Sequence, residues 1–297
     1  MKKNIILGIV IVLVISGVIL VARFFSGPED TWICQDNSWQ KHGQPSSPRP
    51  TSGCGQIQTE NVRISSPELD QTLSFPLIIE GEARGNWYFE ASFPISLLDD
   101  NGKEIALLVA QAQSDWMTTD FVPFKTIIDL TQLPETEKGV LVFYKDNPSG
   151  LSENDQEVRI PVYFPSPEDL TAVKVFFNND RLDPEYSCYK VFPVERFVSK
   201  TPAIARAALE SLLRGPILKE QTNGFFTSVN PGVKIQELVI KDDVASVDFD
   251  SQLEFQVGGS CRVSAIRSQI TETLKQFSTV KEVIISIDGR TEDILQP

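Results

Sequence analysis

Hydrophobic and polar positions change rhythm several times along the chain, and each change marks a different kind of element. Ile5 to Ala22 is an uncharged run of 18 residues, broken only by Gly8, Ser16 and Gly17 and flanked by Lys2, Lys3 and Arg23. As a helix it would be roughly 27 Å long, close to a bilayer's hydrocarbon thickness. It lacks the polar stripe of a soluble core helix. It also exceeds the apolar stretch of about 7–15 residues in a cleaved signal peptide, and Val21-Ala22-Arg23-Phe24-Phe25 is a poor cleavage site. The pattern predicts a membrane anchor over residues 1–23. The two lysines favour a cytoplasmic N-terminus, which places the rest of the chain outside the cell membrane.

From about Ile57 to Phe164 the period is two. Trp87, Phe89, Ala91, Phe93, Ile95 and Leu97 alternate with Tyr88, Glu90, Ser92, Pro94 and Ser96, so one face of a sheet carries the large side chains. Asp99-Asp100-Asn101-Gly102 supplies turn residues before a second run from Ile105 to Ala110. Further strands are expected at Leu77–Ala83, Thr126–Leu130, Val140–Tyr144 and Val158–Phe164. Many short strands and no convincing helix indicate an all-β immunoglobulin-like sandwich over residues 57–164.

Phe164-Pro165-Ser166-Pro167-Glu168-Asp169 reads as a stiff linker, and a mixed pattern follows from residue 170 to 297. Strands are expected at Val173–Phe177 and within Tyr189–Val198. Thr201-Pro202 reads as an N-cap followed by proline at the first helical position. Ile204, Ala208 and Leu212 recur on one side of that helix, and Gly215-Pro216 stops it. Val233–Ile240 and Val244–Phe249 flank a turn at Lys241-Asp242-Asp243. Ser260 is the expected cap of a second helix with a Val263, Ile266, Ile270, Leu274 and Phe277 stripe, and Val283–Ile287 closes the unit. The order β-α-β-β-α-β predicts an α+β sandwich with two helices on one face of a mixed sheet.

Composition adds the compartment. The formal net charge of −13 repels phosphate backbones and argues against nucleic-acid binding. Residues 24–56 are rich in proline, serine and glycine and read as a tether. With an extracytoplasmic location, the four cysteines read as two disulfides, within the pairs Cys34 and Cys54 and Cys188 and Cys261. Closing the first loop restricts the unfolded chain by roughly 3 kcal/mol. Zinc binding by Cys34, His42 and Cys54 is the alternative, but the stretch lacks a Cys-x-x-Cys pair and a fourth ligand.

Catalytic chemistry finds little support. His42, the single histidine, lies in the tether, remote in sequence from any serine on a regular element. The acidic residues stand in no recognisable glycosidase motif. Asp99-Asp100-Asn101-Gly102 and Asp146–Asp155 offer oxygens for calcium, although the first lacks an EF-hand's downstream glutamate; hairpin and connecting loops are the simpler reading. Gly258-Gly259-Ser260 could present N–H groups to an anion, or simply start a helix. Cys261, next to that helix start, could be a reactive thiol, against the simpler reading of a structural bridge to the Cys188 loop.

Four ordered segments resemble the GerMN domain of bacterial sporulation and spore germination proteins: Val194–Pro216 (VERFVSKTPAIARAALESLLRGP), Val247–Asp250 (VDFD), Gly258–Arg262 (GGSCR) and Thr279–Gly289 (TVKEVIISIDG). Gly85–Lys103, Asp115–Phe124 and Lys145–Gly150 resemble the immunoglobulin-like domain often found beside GerMN domains. The resemblance implies an envelope-associated module without catalytic residues, cofactor or metal. It also implies likeness to ring-building modules that self-associate or dock partners. Together these readings predict a binding or scaffolding protein, not an enzyme, acting on an envelope protein or cell-wall material. Trp116, Met117, Phe121 and Phe124 are its candidate contacts, with core packing as their other reading. A homo-oligomeric ring and a carboxylate-dependent envelope hydrolase are the alternatives.

Overall fold

The computed structural model describes residues 31–35, 38–49, 57–69, 71–185 and 187–296. Contacts divide the chain into two compact units, one ending at Ile57 and the other running from Gln58 to Pro297. The anchor expected over residues 1–23 lies outside the described residues. Among those described, no helix is long and apolar enough to cross a membrane. In the first unit β1 (Thr31–Gln35) and β2 (Ser38–His42) form an antiparallel hairpin. The Trp32 indole N–H donates to the Ser47 carbonyl at 3.0 Å. Part of the expected tether is therefore a hairpin. Cys54 and the side chain of Cys34 lie outside the described residues, and so does their expected bridge.

The alternating region builds β3 (Ile57–Gln58), β4 (Val62–Ser66), β5 (Leu77–Arg84), β6 (Ser92–Asp99), β7 (Glu104–Ala112), β8 (Phe121–Ile128), β9 (Lys138–Tyr144) and β10 (Glu157–Tyr163). They join in the order β10-β9-β6-β7-β8-β5-β4-β3. β7 and β8 share only Gln111↔Lys125 and Ala112↔Phe124, and at that narrow join the sheet folds over. Phe124 on β8 and Phe143 on β9 are three places apart in the order, roughly 14 Å across a flat sheet. Their ring centroids lie 6.2 Å apart. Two layers thus face each other over a core that includes Phe93, Ile95 and Leu97, all fully buried.

The expected alternation starts too early. Trp87 ends a short 3-10 turn, Gly85–Trp87, and Phe89 enters a tight reversal closed by reciprocal backbone bonds with Ser92. Glu90 and Ala91 take positive φ there (50° and 63°). Trp87 still reaches the core, edge-on to Phe93 at 6.2 Å. Apolar burial at this strand end comes from a turn, which alternation alone does not separate from a strand.

The remainder forms β11 (Leu170–Asn179), β12 (Phe192–Ser199), α1 (Ile204–Arg214), α2 (Leu218–Gln221), β13 (Phe225–Phe226), β14 (Ile235–Lys241), β15 (Val244–Phe249), α3 (Ser260–Lys275) and β16 (Glu282–Ile287). The single mixed sheet that the element order suggested is instead two three-stranded sheets, β12-β11-β13 and β14-β15-β16. β12 pairs with β11 over eight residue pairs, and on its other side β11 meets only the two-residue β13. The second sheet packs against the helices on its own, with β14 antiparallel and β16 parallel to β15. One core joins β11, α1, β15, α3 and β16: Phe177, Leu209, Phe249, Ile266, Ile270 and Ile287 belong to a single buried cluster, and Val173, Val198 and Ala208 form a smaller one beside β12.

Both helix starts differ from expectation by a residue or two. α1 begins at Ile204 with Ala203 at the cap position, and the Thr201 hydroxyl instead accepts the Ala203 N–H in a preceding turn. Gly259, at φ 85°, stands at the cap of α3, and Ser260 is its first residue. A positive φ at the cap is why glycine is there and serine is not.

Candidate functional site

The junction of sandwich and C-terminal domain is built from charge. Asp129 lies just past the end of β8 and is buried. Arg214, the last residue of α1, grips both of its oxygens: Nε donates to Oδ2 at 2.8 Å and Nη2 to Oδ1 at 2.6 Å. The Ser211 hydroxyl, one turn back, adds a bond to Oδ1 at 2.8 Å. Beside this clamp the Phe197 N–H donates to the Leu130 carbonyl, and Phe75 and Ser199 exchange two bonds. Arg196, fully buried on β12, holds Glu220 of α2 through both guanidinium N–H arms. A cavity of about 140 Å³ at the junction is lined by Leu107, Ile127 and Ile217, with Asp129 as its one carboxylate. Glycoside hydrolysis of the two-carboxylate kind needs a facing pair, and both oxygens of Asp129 are already engaged.

At the other end of β8 the candidate contact residues separate. Phe124 is no contact: it is 2 % exposed and packs edge-on to Phe93 at 5.0 Å. Phe121 is half-buried beneath the guanidinium groups of Arg63 and Arg84, 3.7 and 4.1 Å from its centroid. Trp116 is half-buried, and Met117 is 78 % exposed. Their loop is fixed from below. A Cβ on Gly85 would sit 1.9 Å from the Thr118 carbonyl oxygen, so only glycine permits that approach. Tyr88 and Asp146 neighbour this end. Burial pushes the Tyr88 phenol up, and its hydroxyl donates to the Val122 carbonyl at 2.7 Å. Burial, followed by the charge of Glu90, raises the Asp146 carboxyl.

The calcium readings give way to turn chemistry. Asp99 Oδ1 accepts the N–H groups of Asn101 and Lys103, and Gly102 sits at φ 79°. In the second loop the Asn147 amide donates to the Leu151 carbonyl and to Asp155. Among the described residues no group of three or more His, Cys, Asp and Glu side chains could hold a metal ion. His42 lies in the β2 hairpin.

Cys188 and Cys261 form a disulfide with Cα atoms 5.0 Å apart. It ties the loop between β11 and β12 to the first turn of α3, as expected of a structural bridge. Within that loop Asp183 accepts the Ser187 hydroxyl at 2.6 Å and N–H at 2.8 Å. The hydroxyl bond is the main cause holding its carboxyl below the usual range. A cavity of about 450 Å³ opens between the bridge, Gly258-Gly259 and Phe226. Gly258-Gly259, read from the sequence together with Ser260 as a helix start or an anion cradle, forms part of this wall, and the sequence carries no signal for the cavity itself, because its lining comes from segments far apart in the chain.

Residues 161–293 match the family model described as Germane, sporulation and spore germination. Residues 61–152 match that described as Gmad2, immunoglobulin-like domain of bacterial spore germination. No curated protein matches the chain. Among solved structures, the first GerMN domain of the sporulation protein GerM from Bacillus subtilis is similar over 41 % of this chain and 85 % of that one, with 22 % identity and a TM-score of 0.32. The tandem GerMN domains of the same protein are similar over 41 % of this chain and 40 % of that one, with 18 % identity and a TM-score of 0.32.

Proposed function

This chain is a GerMN-domain protein with a germination-type immunoglobulin-like domain ahead of it, and we infer that it is a non-enzymatic scaffold of the bacterial envelope. In this reading the N-terminal apolar run anchors it in the cell membrane and both domains stand outside, where they hold an envelope protein or wall material. The Asp129–Arg214 clamp is the observation that carries the inference. It supports a rigid two-domain body whose far loops, with Met117 at their tip, are held ready for contact. In-cell cross-linking of the full-length protein followed by partner identification is the test. Recovery of specific envelope partners is expected. A reporter fused at Pro297 that is active only in the cytosol would sink the reading.

A homo-oligomeric ring is the second reading, and one feature favours it. On the outer face of β14-β15-β16, Val239, Ser246 and Ile284 line up across the strands, and Val239 and Ile284 remain 46 % and 39 % exposed. Cross-linking that yields only monomers at native abundance counts against it.

A further inference from the structure

Both outer strands of the β14-β15-β16 sheet turn a row of backbone groups away from their ladder. Three bonds fix which groups these are. The Asp288 N–H donates to the Phe249 carbonyl at 2.9 Å and the Glu282 N–H to the Asp243 carbonyl at 3.2 Å. Even-numbered residues of β16 therefore face β15, and Val283 and Ile285 point their N–H and C=O groups outward. The Asp250 N–H donates to the Lys234 carbonyl, so even-numbered residues of β15 face β14. With Val239 opposite Ser246 and Lys241 opposite Val244, Leu238 and Ile240 are the residues that point outward from β14. Among the described residues no strand pairs with either edge, and no backbone bond outside the ladder reaches these four residues.

Exposed edges are commonly blunted by proline, inward-pointing charge or a covering loop. Neither strand contains proline, and the core-side residues Leu238, Val283 and Ile285 are apolar. Only the last residue of β16 is closed off, where the Ile287 N–H donates to the Arg290 carbonyl. Val239, Ile240 and Ile284 remain partly open to water.

The two edges fit each other. β14 is antiparallel and β16 parallel to β15, so β14 of one copy can lie antiparallel to β16 of the next. Side chains select the register. Setting Val239 against Ile284 puts Lys241 beside Glu282, Glu237 beside Ser286, Leu238 beside Ile285 and Ile240 beside Val283. The outward-pointing residues then meet each other, as an antiparallel ladder requires, and opposite charges face across the joint. A shift of two residues sets Lys241 against Ile284 in one direction and Val239 against Glu282 in the other. Two copies of β14 about a two-fold axis would also match Glu237 with Lys241, but would leave both β16 edges bare.

We propose that copies of this chain join head to tail, the β14 edge of one pairing antiparallel with the β16 edge of the next around Val239 and Ile284. This joint deepens the homo-oligomeric reading, on which it rests, and runs one sheet through successive copies.

Val239→Cys combined with Ile284→Cys in the full-length protein is the test, read by non-reducing electrophoresis after mild oxidation. Within one copy the two positions are two strands apart, roughly 10 Å, too far for a disulfide. Across the joint they form a close, non-hydrogen-bonded pair. The double variant should give a ladder of dimers, trimers and longer species that reduction collapses, and each single variant should stay monomeric. Bridging by Val239→Cys alone, in the yield of the double variant, assigns a two-fold pair and overturns the proposal. Lys241→Glu should strip most of the ladder and a further Glu282→Lys should restore it, whereas a ladder indifferent to both charges overturns the register. No ladder, in a protein whose native chains still join through an amine cross-linker, overturns the joint and leaves the oligomeric reading standing. Monomers in both experiments overturn both. If the double variant loses its cooperative thermal transition, Ile240→Pro serves instead, because it removes an outward N–H and no bond to β15. It should abolish the native oligomers in sedimentation, and oligomers that persist overturn the joint.

Discussion

Burying the Phe124 ring against Phe93 removes a large apolar surface from water, so Phe124→Ala should cost about 3–5 kcal/mol in denaturant unfolding. Met117→Ala, at a tip open to solvent, should stay within about 0.5 kcal/mol and act only on partner retention in a pull-down. The two residues look alike in sequence because both sit in the same aromatic-rich stretch. What separates them is the register of β8, which turns Phe124 inward, and no local signal fixes that register. Two carboxyls offer opposite pH responses. Asp183 titrates below its unfolded value, so its stabilisation is present above about pH 4 and fades as pH falls through the folded value. Hydrogen-exchange protection factors of residues 180–185 and 187–190, taken relative to the intrinsic rate at each pH, should therefore fall on acidification, and Asp183→Asn should remove that dependence. Asp146 titrates above its unfolded value, so its ionised form weakens the fold at neutral pH and the penalty lifts in acid. Asp146→Asn should raise Tm at pH 7 and leave it unchanged at pH 3.

Strands and helices were largely legible because burial imposes a period on each. Val244–Phe249 and the Val263, Ile266, Ile270 and Leu274 stripe fall where the pattern put them. Pairing was not legible. Nothing in the spacing of β11 reveals that β12 would occupy its flank and leave β14-β15-β16 as a separate sheet. The disulfide is the element-scale constraint that composition did reveal, since an even number of cysteines invited pairing. Its cysteines are 73 residues apart. Replacing both with serine should lower stability by about 4 kcal/mol in the loop-entropy model, read as a shift in the denaturant midpoint. The shift should be matched by reduction of the native protein.

At the scale of the molecule, Asp129 and Arg214 are 85 residues apart in the chain and in direct contact. A single sequence contains no trace of that pairing; each residue reads as an ordinary surface charge until both domains have folded. Removing either partner leaves the other charge half out of water, so Asp129→Ala or Arg214→Ala should each cost about 2–4 kcal/mol. Asp129→Leu combined with Arg214→Met should recover most of that loss, because two apolar groups need no partner. A double-mutant cycle by chemical denaturation measures the coupling directly.

The parallel pairing of β15 with β16 sets a timetable. The sandwich completes its pairings within residues 57–164, whereas β15 gains its second partner only after α3 has been made and β16 follows it. Such non-local closure is slow to nucleate. A chain emerging N-terminus first would carry a finished sandwich while the later domain waits on its last strand. A stop at Lys281 should therefore spare the first domain and leave the second prone to degradation, with Val247 and Phe249 stripped of cover.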